Sequence, residues 1–321
     1  MPSVRQCTAA ISTCGRARAS HAALDLLRKM LEEGPNPDAF CCNSVIKACS
    51  GIQQQLSVFE DMQQRGPMPD VATYGALMTA LGREVQWVKC LGLMNDMISQ
   101  RLESNVIVYG AAISACDKAS QWQSAVELLQ DLHDERHAAS LVCCSAAMSA
   151  CARGQQWEFA LGILAETRAK GLEADLIMFS AGISACGQGG QWQRSLSLLH
   201  EMQSEELLPN QITYNAAADA MSRCENWMLA LTFLTEMRQR RSAPDTNTMS
   251  SVVRACGLAV LWQHALLVFH QIRQDHLSPD IIAYHSTVAA CEEAAQWEAA
   301  VQLLAEMRLS RLRLDAKILS S

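Results

Sequence analysis

The sequence is poor in several features that define common protein classes. Aromatic residues make up only 5% of it, with four Tyr and six Phe. No run of about 18 uncharged apolar residues occurs, so no segment reads as a membrane-spanning helix. The apolar–polar alternation of a half-buried strand is absent throughout. The fourteen Cys include no C-x-x-C pair, and the chain is long, so a small disulfide framework does not fit and a reduced compartment does. No phosphate loop, catalytic triad order or paired-carboxylate motif stands out. With a net charge of −7 and a pI near 5.6, the chain also lacks the basic surplus expected of a nucleic-acid binder.

What the sequence does have is periodicity. Its seven tryptophans are Trp87, Trp122, Trp157, Trp192, Trp227, Trp262 and Trp297, and every interval is 35 residues. A cysteine column shares the period at Cys116, Cys151, Cys186, Cys256 and Cys291, each preceded by Ala. Such self-similarity marks a stacked array in which each unit buries its apolar face against its neighbours. Nine units follow: 4–38, 39–70, 71–105, 106–140, 141–175, 176–210, 211–245, 246–280 and 281–315. The second is three residues short, and the loss falls between Cys49 and Leu56, where a turn is expected to absorb it.

Each unit reads as helix–turn–helix. In 176–210, Phe179, Gly182, Ile183 and Cys186 share one helical face, "GQGG" at 187–190 breaks the pattern, and Trp192, Leu196, Leu199 and Met202 resume it until Pro209. The expectation is an all-α solenoid of about eighteen helices. Trp and Cys are both expected to fill the core between helices, because Trp192 shares its face with Leu residues and residues 35 apart are too distant for a disulfide or shared zinc.

Two helical-pair repeats are candidates. The tetratricopeptide repeat has 34 residues with Trp in its first helix, whereas here the period is 35 and Trp opens the second. Units such as "QITYNAAADAMSRCENWMLALTFLTEMRQRRSAPD" (211–245) instead resemble the pentatricopeptide repeat, through "TYN", "AL..L.EM" and the closing "PD". The resemblance spans residues 4–315 and implies a right-handed superhelix that binds single-stranded RNA, one base per repeat.

In that family the bases are read by the fifth and last residues of each unit. The resemblance therefore implies the reading pairs Thr8 with Asp38, Asn43 with Asp70, Ser145 with Asp175, Ser180 with Asn210, Asn215 with Asp245 and Ser250 with Asp280. The two Asn pairs resemble uridine readers, Ser180 with Asn210 an adenosine reader, and the others guanosine readers. Gly75, Gly110 and His285 leave three units without an assigned base. The implied site is G-U-N-N-G-A-U-G-N. These side chains carry suitable donors and acceptors, although Asp before a helix is also an ordinary N-cap.

The second residues, Ile107, Val142, Ile177, Ile212 and Ile282, lie one turn before the fifth on the same face, and in the family such aliphatics sandwich the base. Ordinary packing between helices is the competing explanation. Arg16, Arg83, Lys118, Arg153 and Arg223 all occupy the thirteenth position and form a candidate phosphate-contacting stripe. The alternative is that they simply favour a helix C-terminus. Negative charge is concentrated elsewhere: the second-helix segments hold sixteen basic and twenty-one acidic residues, and six Asp close units.

His133–Glu135 matches the H-x-E of zinc deaminases, but no P-C-x-x-C follows, so no catalytic site or metal is read. No cofactor, small-molecule substrate or membrane partner is implied either. The expected partners are single-stranded RNA and an RNA-processing or editing enzyme, with a protein-binding scaffold as the alternative. Residues 1–24 have a transit-peptide composition, yet the first unit begins at Val4, so the array is the preferred reading there. Neither end shows a polar capping helix, which suits a fragment or partner-covered ends. The resemblance implies a mitochondrion or chloroplast.

Overall fold

The computed structural model describes residues 4–16, 20–33, 36–49, 51–135, 140–223, 226–239 and 242–309. Among these are eighteen α-helices and no strand. They divide into two compact units, Met1–Gly154 and Gln155–Ser321.

The first unit holds α1 (Val4–Arg16), α2 (Ser20–Glu33), α3 (Ala39–Ala48), α4 (Ile52–Arg65), α5 (Val71–Arg83), α6 (Trp87–Ser99), α7 (Val106–Lys118), α8 (Trp122–Asp134) and α9 (Leu141–Arg153). The second holds α10 (Trp157–Ala169), α11 (Leu176–Gln188), α12 (Trp192–Ser204), α13 (Gln211–Arg223), α14 (Trp227–Gln239), α15 (Thr246–Leu258), α16 (Trp262–Gln274), α17 (Ile281–Glu293) and α18 (Trp297–Leu309). Most span 13 residues, about 20 Å. Within each unit the first helices of successive repeats pack side by side, α1 to α9 in one and α11 to α17 in the other. Within a unit, second helices pack on their own first helix and on the next one, as α6 does on α5 and α7 and α12 does on α11 and α13.

Local chemistry sets the boundaries. The last residue of a repeat is the N-cap of the next first helix, its side chain accepting from the amide three residues on, as Asp175 does from Met178 at 2.9 Å. Helices end at a left-handed residue that recurs once per turn, including Val85, Ser120, Gly190, Val260 and Ala295. Its neighbour closes a Schellman-type bond, such as Gln191 N–H to the Cys186 carbonyl at 2.8 Å. Phe179, Ile183, Cys186, Leu199 and Met202 are buried between α11 and α12, each contributing about 1.5–3 kcal/mol for the large apolar side chains.

Four sequence expectations need correction. The α11 helix runs through Gly187 to Gln188, because Gly187 sits where a Cβ would lie 2.8 Å from Ala220 Cβ and only glycine allows α11 and α13 to approach so closely. The α12 helix stops at Ser204, where Glu206 turns left-handed, so Pro209 lies in the extended link rather than at the helix end. The three-residue loss in repeat 39–70 is taken from the helix itself: α3 has 10 residues against 13 in its neighbours. Buried Gln55 replaces the missing turn by donating to the carbonyls of Ile46 at 3.0 Å and Cys49 at 2.8 Å.

The tryptophans are the fourth correction. Six are half-buried and Trp297 is 68% exposed, so none belongs to the core. Trp122 and Trp157 instead cover the turn of the following repeat. A Cβ on Gly154 would lie 2.3 Å from Trp122, and one on Gly189 would lie 2.2 Å from Trp157. The Arg194 guanidinium lies over the Trp157 ring, 4.3 Å from its centroid. The cysteine column behaves as small buried filler, with burial pushing the thiols of Cys116, Cys151, Cys186 and Cys256 up to about 11.

Candidate nucleic-acid interface

The first helix of each repeat presents its second, fifth or sixth, ninth and thirteenth residues on one face, the i, i+3/i+4, i+7, i+11 spacing. In six repeats the second position is a large apolar residue open to solvent, and Arg5, Ala72 and Asn247 break the column. Exposure runs from 48% for Ile282 through Ile177, Ile212 and Val142 to 72% for Ile107. Packing between helices is therefore not what these residues do. Phe40, 65% exposed, occupies the same position in α3 and was missed by reading aliphatics alone.

One turn on, the fifth residue meets the closing residue of its own repeat. Asn43 Nδ2 donates to Asp70 Oδ1 at 3.0 Å, and Asn215 Nδ2 donates to Asp245 Oδ2 at 3.0 Å. Ser250 Oγ donates to Asp280 Oδ1 at 2.8 Å. The same carboxylates cap the next helix, accepting from Thr73, Thr248 and Ala283 amides at 2.8 Å each. Capping and pairing are thus compatible, because one carboxylate has about four acceptor sites. Burial alone would raise the Asp70 and Asp245 carboxyls. Bonds from Asn43 or Asn215 and from the Thr amide and hydroxyl outweigh it and hold both below the usual carboxylate range.

Two pairs are joined through a third residue. Ser180 and Thr213 hydroxyls lie 2.7 Å apart, and Thr213 Oγ1 lies 2.9 Å from Asn210 Oδ1. Thr8 Oγ1 lies 2.8 Å from Cys41 Sγ, and the Cys41 amide donates to Asp38 at 2.7 Å. Ser145 donates to the Val142 carbonyl at 3.1 Å, while Asp175 caps α11. At the fifth positions without a side chain there is room for one: a Cβ on Gly75 would first meet Val108 at 3.8 Å, and one on Gly110 would meet Cys143 at 3.4 Å. His285 is exposed.

The cation column has local engagements. Lys118 Nζ donates to the Gly82 carbonyl at 3.1 Å, and Arg153 donates to the Asp117 carbonyl at 2.7 Å, each reaching the end of the preceding first helix. Arg223 Nε bonds Asp219 at 2.8 Å, and Arg254, at the ninth position of its repeat, bridges to the same Asp219 and to Ser222. Arg83 is exposed, and the side chain of Arg16 lies outside the described residues. No group of three His, Cys, Asp or Glu able to hold a metal occurs among the described residues. No described helix is long and apolar enough to cross a membrane.

This is the architecture of a tandem helical-repeat protein with a regular polar and aliphatic ladder on its first helices. Residues 142–272 match the model for a pentatricopeptide repeat-containing protein, 57–119 that of the pentatricopeptide repeat domain, and 7–35 that of the single repeat. The chain belongs to the pentatricopeptide repeat family. Over 83 residues it is 31% identical to Protein LOW PHOTOSYNTHETIC EFFICIENCY 1, chloroplastic, of Arabidopsis thaliana, which covers 25% of this chain and 12% of that protein.

Among solved structures it is similar to the pentatricopeptide repeat protein PPR10 from maize, with a TM-score of 0.61 and 18% identity over 99% of this chain and 50% of that one. PPR10 in complex with an 18-nt psaJ RNA element gives a TM-score of 0.64, again at 18% identity, over 99% of this chain and 52% of that one. That likeness establishes the fold, and the chain spans about half the length of those structures.

Proposed function

We propose that this chain is a sequence-selective single-stranded RNA-binding module in which each repeat addresses one base. The observation that carries the reading is the combination, on one face of the first helices, of an exposed apolar second residue with a fifth residue bonded to the closing residue one turn on, as Phe40 with Asn43–Asp70 and Ile212 with Asn215–Asp245. An exposed aliphatic offers the flat face of a base a surface to stack on, and the polar pair offers its edge donors and acceptors. A relative of this fold holding an RNA element supports the reading.

On this reading Asn43 with Asp70 and Asn215 with Asp245 select uridine. Thr8 with Asp38, Ser145 with Asp175 and Ser250 with Asp280 select guanosine, and Ser180 with Asn210 selects adenosine. Ile107, Val142, Ile177, Ile212 and Ile282 sandwich bases. Arg16, Arg83, Lys118, Arg153 and Arg223 attract phosphates, weakly where carbonyls or Asp219 already engage them. The module acts by occupying a transcript or recruiting an RNA-processing or editing enzyme. An organelle is the favoured compartment, and the chloroplastic relative supports a chloroplast over a mitochondrion.

Fluorescence anisotropy with G-U-N-N-G-A-U-G-N RNA, a scrambled RNA and the matching DNA, at several salt concentrations, tests this. The expected outcome is tighter binding of the designed RNA with a modest salt slope. Equal or absent binding of all three would replace the reading with a protein-binding scaffold.

A further inference from the structure

Three buried threonines touch the base-reading pairs from outside the repeat they serve. Thr73, Thr213 and Thr248 are each the third residue of the following repeat, and each is fully buried. A buried hydroxyl without a partner is costly, so the neighbours it selects are informative. Thr73 Oγ1 lies 2.6 Å from Asn43 Oδ1 and 2.9 Å from Asp70 Oδ1. Thr248 Oγ1 bonds Asn215 Oδ1 and lies 3.0 Å from Asp245 Oδ1. Each hydroxyl thus shares its one proton between amide and carboxylate oxygens, the amide oxygen being the nearer. The opposite side of each amide donates to Asp70 or Asp245. Each Asn amide is therefore held at both ends, nitrogen toward a carboxylate and oxygen toward a hydroxyl. Rotating it by 180° would set its oxygen against the carboxylate and forfeit the bond that the hydroxyl donates to that oxygen.

This matters because uracil and cytosine differ in the order of their edge groups. Uracil offers an acceptor oxygen beside an N–H donor, and cytosine offers an amino donor beside a ring-nitrogen acceptor. An Asn amide fixed in one orientation presents one N–H and one lone pair in one order only, whereas an amide free to rotate can present both orders and accept either pyrimidine. Resting on the RNA-reading proposal above, we infer that Thr73 and Thr248 are positioning residues that restrict the second and seventh repeats to uridine over cytidine.

The two are not equally exposed to loss. In the seventh repeat Gln211 Nε2 lies 3.5 Å from Asn215 Oδ1 and 3.3 Å from Thr248 Oγ1, so a second donor stands by. In the second repeat Thr73 is the donor that meets Asn43 Oδ1, and Asn43 itself is only 6% exposed. Losing Thr73 strands a buried amide oxygen, whereas losing Thr248 does so only in part. The other repeats place Cys41, Val108, Cys143, Met178 and Ala283 at this position, none of which supplies a hydroxyl.

The test is a binding titration of the full chain with RNAs carrying U or C at the second or seventh base. Thr73→Val and Thr248→Val keep side-chain shape and remove the hydroxyl. Thr73→Val is expected to reduce the U-over-C ratio at the second base about three- to tenfold, the worth of one net hydrogen bond, and to leave the seventh base alone. Thr248→Val should act at the seventh base only, and by less. A purely structural role would weaken both RNAs equally, leaving the ratio fixed, and that result overturns the inference while the RNA reading stands.

If the unaltered chain shows no preference between U and C at either base, the uridine reading of these two repeats falls and the inference with it. A gain of function covers the case of a misfolded variant. Repeat 71–105 has Gly75, Asn105 and, behind them, the fully buried Val108. Gly75→Asn with Asn105→Asp should favour U over C at the third base distinctly more when Val108→Thr is added. Equal ratios with and without Val108→Thr would again overturn it.

Discussion

Repeats 39–70 and 211–245 carry the same three side chains on different frames. Asn43, Asp70 and Thr73 repeat as Asn215, Asp245 and Thr248, with the donor bond from Asn to Asp at 3.0 Å in both. Yet α3 is one turn shorter than α13, lacks a tryptophan after it, and is closed by a buried Gln55 bonded to two of its carbonyls. In the regular repeat Trp227 opens α14 and meets His264 of the next repeat in a tilted ring contact with centroids 5.5 Å apart. The difference teaches that the two ends of a first helix have separate tasks. The N-terminal half, with the first turn of the following repeat, arranges the reading pair. The C-terminal half and turn only dock one repeat on the next, and can be rebuilt.

If that separation holds, changes to the frame should move stability and spare selectivity. The largest effect is expected for Trp227→Ala, about 2–3 kcal/mol, at or below the low end for tryptophan truncation because the ring is half-exposed. Urea unfolding would measure it, and the U preference at the seventh base should be unchanged. A shift in that preference would mean that the frame and the reading pair are coupled.

Gln55→Ala is the matching test in the short repeat. It strands the Ile46 and Cys49 carbonyls, and the expected loss is about 2 kcal/mol. The second base should still favour U. No comparable loss is expected from shortening Gln239, which lies exposed on α14, so a double comparison separates a specific cap from general sensitivity.

A smaller effect of opposite sign should come from the regular turns. Val260 stands at φ 57, in the left-handed region that β-branched residues resist, where the equivalent residue of repeat 176–210 is Gly190 at φ 72. Val260→Gly is expected to stabilise by about 1 kcal/mol, the strain relieved less the added freedom of the unfolded chain. A destabilised variant would show that apolar contacts of Val260 outweigh its backbone strain.

These contrasts also show what the sequence made legible. Strict 35-residue spacing placed Trp at the start of every second helix from α6 to α18, and the closing residues at the caps, because any drift in register would expose a whole apolar face. Periodicity could not tell a buried Trp from one lying over a turn, since both share the face of neighbouring leucines. Nor could it show that Gly187 sits inside a helix, because close approach depends on Ala220 of the next repeat. The fifth-position and closing residues were visible as columns. Thr73 and Thr248 were not, because their partners lie 30 and 33 residues away and Thr after a closing Asp looks like ordinary capping. A hint was present in Thr standing at the third position of the repeat that follows each Asn-reading one.

The smallest expected effect concerns acid. Asp70 and Asp245 have carboxyls held below their usual range in the folded chain by Asn, Thr hydroxyl and amide donors that outweigh burial. A lowered folded value means that the stabilising contribution is fully present above the ordinary carboxylate value, about 3.9, and disappears as pH falls through the lowered one. Selectivity follows the same course, since a protonated Asp would turn toward Asn43 or Asn215 a group that can donate where an acceptor is needed. Stability of the parent chain and of Asn43→Leu, measured by urea unfolding from pH 7 to pH 3, should differ by a constant amount down to about pH 4 and then converge. The Asn215→Leu variant should converge in the same way, because Asp245 shares the Asn, Thr amide and Thr hydroxyl donors of Asp70, with Gln211 as a further one. A gap that stayed constant to pH 3 would mean that Asn packs against the carboxylate without stabilising its charge. In that case the pairs would resemble each other in shape, but their shared electrostatic logic would be lost.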